Sequence, residues 1–140
     1  MTRLFSSSKF KNNSLSNWNV SKVRNMTAMF HDTSFNGDIS KWDVSNVELM
    51  SFMFERSKFN NDISNWDVSN VKDMECMFKT SKFNGDVSKW DVSNVTSISY
   101  MFAYSNFDGD ISKWNISDKC AKKDVLLECP LEKRLLKYEL

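Results

Sequence analysis

The chain has 140 residues, 41% hydrophobic and 14% aromatic, enough for one domain with a continuous core. Its 19 Lys and Arg against 18 Asp and Glu give a net charge of +1, which argues against the basic face of a nucleic-acid binder. No stretch approaches the ~20 apolar residues of a membrane span, so no transmembrane segment is expected.

In chain order, Phe5 and Phe10 come first, spaced like Phe30 and Phe35 further on. Phe10 to Trp18 is 8 residues where Phe35 to Trp42 is 7, so one residue is inserted in the loop of residues 11–14. Trp18, Trp42, Trp66, Trp90 and Trp114 then recur at a constant interval of 24 residues. A strict period of this size marks units that stack to bury a core none could bury alone. One unit opens at Met29-Phe30 and runs through Phe35-Asn36-Gly37-Asp38-Ile39-Ser40-Lys41-Trp42-Asp43-Val44-Ser45-Asn46-Val47 to Met50. Met53-Phe54, Met77-Phe78 and Met101-Phe102 open the later copies, and the pattern fades after Ile116.

Two elements are expected in each unit. Trp42-Asp43-Val44 alternates apolar, polar, apolar with strand-favouring types, which predicts a short strand with Trp and Val inward. Val47, Met50, Met53 and Phe54 then fall at i, i+3, i+6 and i+7, the spacing of one face of a helical turn. Ser21, Ser45, Ser69 and Ser93 stand where its N-cap belongs, and Ser45 with Glu48 makes a capping-box pattern. Gly37, Gly85 and Gly109, with Asn61 in the third copy, suit a positive φ in the turn that leads back.

The tail differs in kind. Residues 119–128 and 130–140 are expected to form two short helices, with Pro130 at a first helical position, covering the last unit. Cys76, Cys120 and Cys129 are odd in number and match no zinc spacing, which argues against a disulfide framework. Cys120 and Cys129 flank one expected helix and could pair in a secreted protein.

The fold expected is therefore an α/β solenoid. It is a leucine-rich-repeat-like right-handed coil with one short parallel strand and one helical turn per 24-residue repeat, over residues 1–118, and a helical C-terminal cap at 119–140. The pattern Phe-Asn-Gly-Asp-Ile-Ser-x-Trp-Asp-Val-Ser-Asn-Val-x-x-Met-x-x-Met-Phe resembles the repeat of the BspA-type leucine-rich repeat surface proteins, including surface lipoproteins of mycoplasma type. The resemblance covers about residues 4–117. It implies display on a surface, with adhesion or host interaction as the usual role, and it brings no catalytic residue with it. The chain opens without the apolar core of a signal peptide. A cytosolic location is expected if it is complete, and the cell surface or secretion if it is a piece of a longer protein.

With Trp42 inward, its neighbours point to the exposed face. This gives a row of Asn19, Asp43, Asp67, Asp91 and Asn115 beside a row of Asn17, Lys41, Asn65, Lys89 and Lys113. The two rows form either a polar binding strip or a solvated, charge-balanced face repeated by duplication. A second row, Asp38, Asp62, Asp86 and Asp110, lies in oxygen-rich turns that invite calcium, but Asx-turn hydrogen bonding accounts for it without a metal. His31, in a column otherwise holding Glu55, Lys79 and Ala103, reads as a solvated side chain. No nucleophile motif or phosphate loop is present. The function expected is non-enzymatic protein–protein interaction or adhesion with a protein partner, needing no cofactor and no metal. The alternatives are a glycan-binding module using the polar strip and a structural, self-associating building block. The open edge at Trp18-Asn19-Val20 makes a homodimer through the N-terminal edge the self-association to expect.

Overall fold

A computed structural model describes residues 1–10 and 14–138. Its 24-residue units do stack in register, but they are built from turns. Among the described residues the only helix is α1, Pro130–Tyr138, and the only β pairings are isolated parallel bridges linking Asn25, Leu49, Asp73, Ser97 and Ala121 in one row. The expected α/β solenoid, with a strand and a helical turn in every unit, is thus overturned. Trp42-Asp43-Val44 has no strand partner, and the segment from Val47 to Phe54 is not helical.

In place of the helix each unit has a chain of overlapping β-turns. Met53 N–H closes on Met50 at 3.2 Å, Glu55 on Phe52 at 3.2 Å and Ser57 on Phe54 at 3.1 Å. Phe52 and Arg56, third residues of the first and last of these turns, lie at φ 59° and 57°, the sign of a type II turn. A right-handed helix cannot pass through such residues. The same pair of positive-φ residues, four apart, recurs at Arg3 and Ser7, Ala28 and Asp32, Cys76 and Thr80, Tyr100 and Tyr104, and Asp124 and Glu128.

The turns leave alternate backbone groups free to cross between units. N–H groups of Met50, Phe52, Phe54 and Arg56 donate to carbonyls of Asp73, Glu75, Met77 and Lys79, each at 2.9 Å. Between them Met53 and Glu55 spend their N–H groups on turn closure. Two left-handed non-glycine residues cost each unit about 2–4 kcal/mol. Four crossing bonds at about 0.5–1.5 kcal/mol each offset that, and aromatic burial is added to them. In the first rung the offset is one residue longer, with Arg3 bonding Thr27 where Ala28 bonds Ser51. The extra residue therefore falls between Phe10 and Trp18, a stretch whose residues 11–13 lie outside the described ones.

The apolar columns face inward as the sequence pattern requires. Phe30, Phe54, Phe78 and Phe102 are fully buried and stack with successive centroids 5.6 Å apart and planes within 5°. A second column, Phe35, Phe59, Phe83 and Phe107, stacks at 6.2, 6.2 and 6.5 Å. Offset ring pairs of this kind contribute about 0.5–1.5 kcal/mol each beyond their burial. Trp42, Trp66, Trp90 and Trp114 are buried, and each indole Nε1 donates to a carbonyl 27 residues earlier: Leu15, Ile39, Ile63 and Val87. Trp18, at the outer end of that column, is 39% exposed.

Glycine has another role than the one expected. No glycine adopts a positive φ. At Gly85 and Gly109 a Cβ would come within 2.8 and 2.7 Å of the Phe83 and Phe107 rings, so hydrogen is needed there to let the ring fold back over the chain.

The tail divides differently from the two helices expected. Residues 123–128 form one more run of turns, whose carbonyls at Lys123, Val125 and Leu127 accept from Tyr100, Phe102 and Tyr104. Helix α1 begins at Pro130, as its fixed φ allows. Its Leu131 is buried, takes the next place in the Phe35 column and donates its N–H to Phe107 at 3.2 Å. Arg134 ties α1 to Asp108 through Nε at 2.8 Å and Nη2 on the carbonyl at 3.0 Å.

Candidate interaction faces

The polar row beside the tryptophans is exposed, as the sequence requires: Asn19, Asp43, Asp67, Asp91 and Asn115, with Lys41, Lys89 and Lys113 next to them. Its carboxylates, however, are used by the chain itself. One oxygen of Asp43 accepts from both Ser45 N–H, at 3.1 Å, and Ser45 Oγ, at 2.6 Å. Asp67 with Ser69 and Asp91 with Ser93 repeat this, and Asn19 holds Ser21 in the same way. The serines expected to cap helices are the donors of these Asx turns. The Ser45 hydroxyl and N–H hold the Asp43 carboxyl below its ordinary range, and Ser93 does the same for Asp91.

The second acidic row behaves alike. Asp38 accepts from Ser40 N–H at 2.9 Å and Oγ at 2.7 Å, and Asp62, Asp86 and Asp110 accept from Ser64, Ser88 and Ser112. These bonds lower the carboxyl pKa at Asp38, Asp62, Asp86 and Asp110. Among the described residues no group of three His, Cys, Asp or Glu is placed to hold a metal ion.

A different surface lies over the turn ladder, where side chains change from unit to unit. His31, Glu55 and Lys79 form one polar column: His31 Nε2 is 3.5 Å and Lys79 Nζ 4.0 Å from opposite oxygens of Glu55. His31 Nδ1 also lies 3.3 Å from Ser6 Oγ, so the imidazole is a half-buried link between units, not the free solvated side chain expected. Lys79 and Lys123 approach the Tyr100 ring at 5.5 and 5.6 Å, and Tyr104 beyond it is 53% exposed. At the other end of this surface a pocket of about 460 Å³ is lined by Arg3, Ser6, Thr27, His31, Phe52 and Glu55. Along a neighbouring edge Glu48 bridges Arg24 at 2.7 Å and Lys72 at 2.9 Å, and these two cations, Lys72 foremost, lower its pKa.

The family described as "Mycoplasma protein of unknown function, DUF285" has a model that matches residues 1–114 and, in a second overlapping match, 55–133. The chain belongs to that family. No curated protein and no solved structure matches it. Overlapping matches are what a chain of repeated units allows, since such units align in more than one register. The second match reaches beyond Ile116, where the sequence pattern fades, and residues 121–127 carry the ladder there.

All three cysteines of this DUF285 chain are free and buried. Burial pushes the Cys76 thiol up to about 11 and raises Cys120 and Cys129 as well, so none has the thiolate character of a nucleophile. No helix among the described residues is long and apolar enough to cross a membrane.

Proposed function

We propose that the protein works by binding another protein, as an interaction or adhesion module without catalysis, in the manner of the BspA-type surface repeats it resembles. The observation behind this reading is the division of labour among columns. Phenylalanine, methionine, tryptophan and the Asp–Ser turns recur from unit to unit and are occupied in holding the stack. The columns over the turn ladder instead read His31, Glu55, Lys79 and Ala103, or Asp32, Arg56, Thr80 and Tyr104. A scaffold whose backbone is satisfied internally can vary such columns at little cost to stability, and exposed tyrosine such as Tyr104 is a residue type enriched in protein-binding surfaces.

The test is binding of the immobilised chain to a membrane-protein fraction and, in parallel, to a soluble-glycan array. Capture that protease treatment of the fraction abolishes, and that Lys79→Glu with Tyr104→Ala weakens by about tenfold or more, supports the proposal. Retention on the glycan array that Lys41→Glu with Lys89→Glu removes would replace it with glycan recognition on the polar strip.

A further inference from the structure

The loop that follows the Phe35 column carries a row of side-chain amides. Asn36, Asn60 and Asn84 are exposed, and each Oδ1 accepts a backbone N–H of the next unit: those of Asn60, Asn84 and Asp108, each at 2.8 Å. Among the described residues no acceptor meets the Asn84 Nδ2 group or the Gly85 N–H. A second set of asparagines is held the other way round. Asn46, Asn70 and Asn94 donate through Nδ2 to the Ser21, Ser45 and Ser69 carbonyls, each at 2.8 Å, and a valine follows each of them.

We infer that Asn84 with Gly85 is a site of self-modification, at which the folded stack promotes loss of the side-chain amide. The Gly85 nitrogen gives its proton to hydroxide and bonds to Asn84 Cγ. The bond from Cγ to Nδ2 then breaks, Nδ2 takes a proton from water and leaves as ammonia, and a cyclic imide joins the two residues. Water opens the imide at either carbonyl, leaving aspartate or isoaspartate at position 84, so one water is consumed for each ammonia released. Three features favour this step at Asn84. Gly85 has no Cβ to obstruct the attack. The negative charge of the tetrahedral intermediate falls on Oδ1, which the Asp108 N–H already holds in the manner of an oxyanion donor. The departing Nδ2 has no bond to the described chain to give up. Asn60 has the same donor on its Oδ1, but it is followed by Asn61, whose side chain is tied to the Asn36 carbonyl. Asn36 is followed by Gly37, which is buried where Gly85 is half-buried, so Asn36 reacts more slowly. Aspartate suits this row, since Asp108 stands next in it. Isoaspartate lengthens the main chain beside the Phe83 ring, where even a Cβ on Gly85 would lie 2.8 Å away.

Peptide mapping by mass spectrometry of the purified chain, incubated at mildly alkaline pH in isotopically labelled water, tests this. The peptide holding Asn84 should gain the mass of an amide-to-acid change, with one oxygen taken from the water and isoaspartate among the products. Conversion there should exceed that at Asn46, Asn60 and Asn94 by about tenfold or more. It should also be at least as fast in the native chain as in urea, where the Asp108 N–H no longer holds Oδ1. Asn84→Gln, whose longer side chain disfavours ring closure, should abolish the change at that position. An Asn84 that stays an amide, that converts no faster than Asn60 and Asn94, or that converts more slowly in the native chain than in urea would overturn the inference.

Discussion

Trp66 shows how much one side chain carries. It is 4% exposed, its ring lies against Phe54, and its indole N–H satisfies the Ile39 carbonyl. Trp66→Ala should cost about 3–5 kcal/mol through the cavity it leaves, whereas Lys41→Ala, on the exposed strip, should stay within about 0.5 kcal/mol. Urea denaturation of both variants compares them directly, and equal midpoints would refute the inward column. The aspartates of the Asx turns make a pH prediction. Their pKa values are depressed by serine hydrogen bonds in the folded chain, so the carboxylate form favours the fold. That contribution is complete above the ordinary unfolded pKa of about 3.9 and is lost as the pH falls through the lower folded values. Melting temperature should hold from neutral pH to about pH 5 and fall steeply below about pH 4. Stability that rises on acidification would show that these turns favour the protonated form. The three buried thiols should resist alkylation in the native protein and react in denaturant, as mass spectrometry would show. Native labelling of Cys76 as fast as in denaturant would mean that its column is open to solvent. At this scale the sequence was informative about what is buried, because size and apolarity alone send Trp, Phe and Met inward. It was less informative about the polar rows: Asp43, Asp67 and Asp91 stood out by their regularity, and in a repeat regularity belongs to residues that hold the turn. Side chains that change along the stack, such as Glu55, Lys79 and Tyr104, leave no motif to find.

A chain of turns carries the side-chain spacing of a helix for a definite reason. In consecutive β-turns, residues i and i+3 approach one another and put their side chains on one side, so Met50 and Met53 reproduce the spacing of a helix face. The turns are marked by left-handed backbone at every fourth position, and glycine is the usual signal of that conformation. Here those positions hold Phe52, Arg56, Cys76, Thr80, Tyr100 and Tyr104, while the glycines stand elsewhere at ordinary φ. The conformation is imposed by the rung-to-rung bonds and not by local preference. This gives a test at Thr80, exposed and β-branched at φ 56°. Thr80→Gly should stabilise the protein by about 0.5–1 kcal/mol by relieving the left-handed strain. In a helix the same change would destabilise by a few tenths of a kcal/mol or more. A lowered melting temperature for Thr80→Gly would therefore count against the turn ladder.

At the scale of the whole molecule, the stack brings each column of the sequence together in space, so a 24-residue pattern becomes rows of side chains. The period, the burial of the aromatic columns and membership of a mycoplasma repeat family were legible in the sequence, while the narrower BspA-type resemblance goes beyond the family that matches. The backbone that connects the units was not, because long-range hydrogen bonds between main-chain groups leave no trace in side-chain identity. The same applies to residues 119–128, whose mixture of leucine and lysine reads as helix in isolation and joins the ladder because Tyr100, Phe102 and Tyr104 present donors to it. The central claim is that each unit is joined to the next by crossing backbone bonds from a chain of turns. It is tested most directly by nuclear magnetic resonance, through the scalar coupling that passes across a hydrogen bond from an amide nitrogen to its acceptor carbonyl carbon. The Phe54 nitrogen should couple to the Met77 carbonyl, and Phe78 to Met101, as their 2.9 Å bonds require. A coupling from Phe54 to Met50, four residues back in the same unit, would show a helix there and contradict the account.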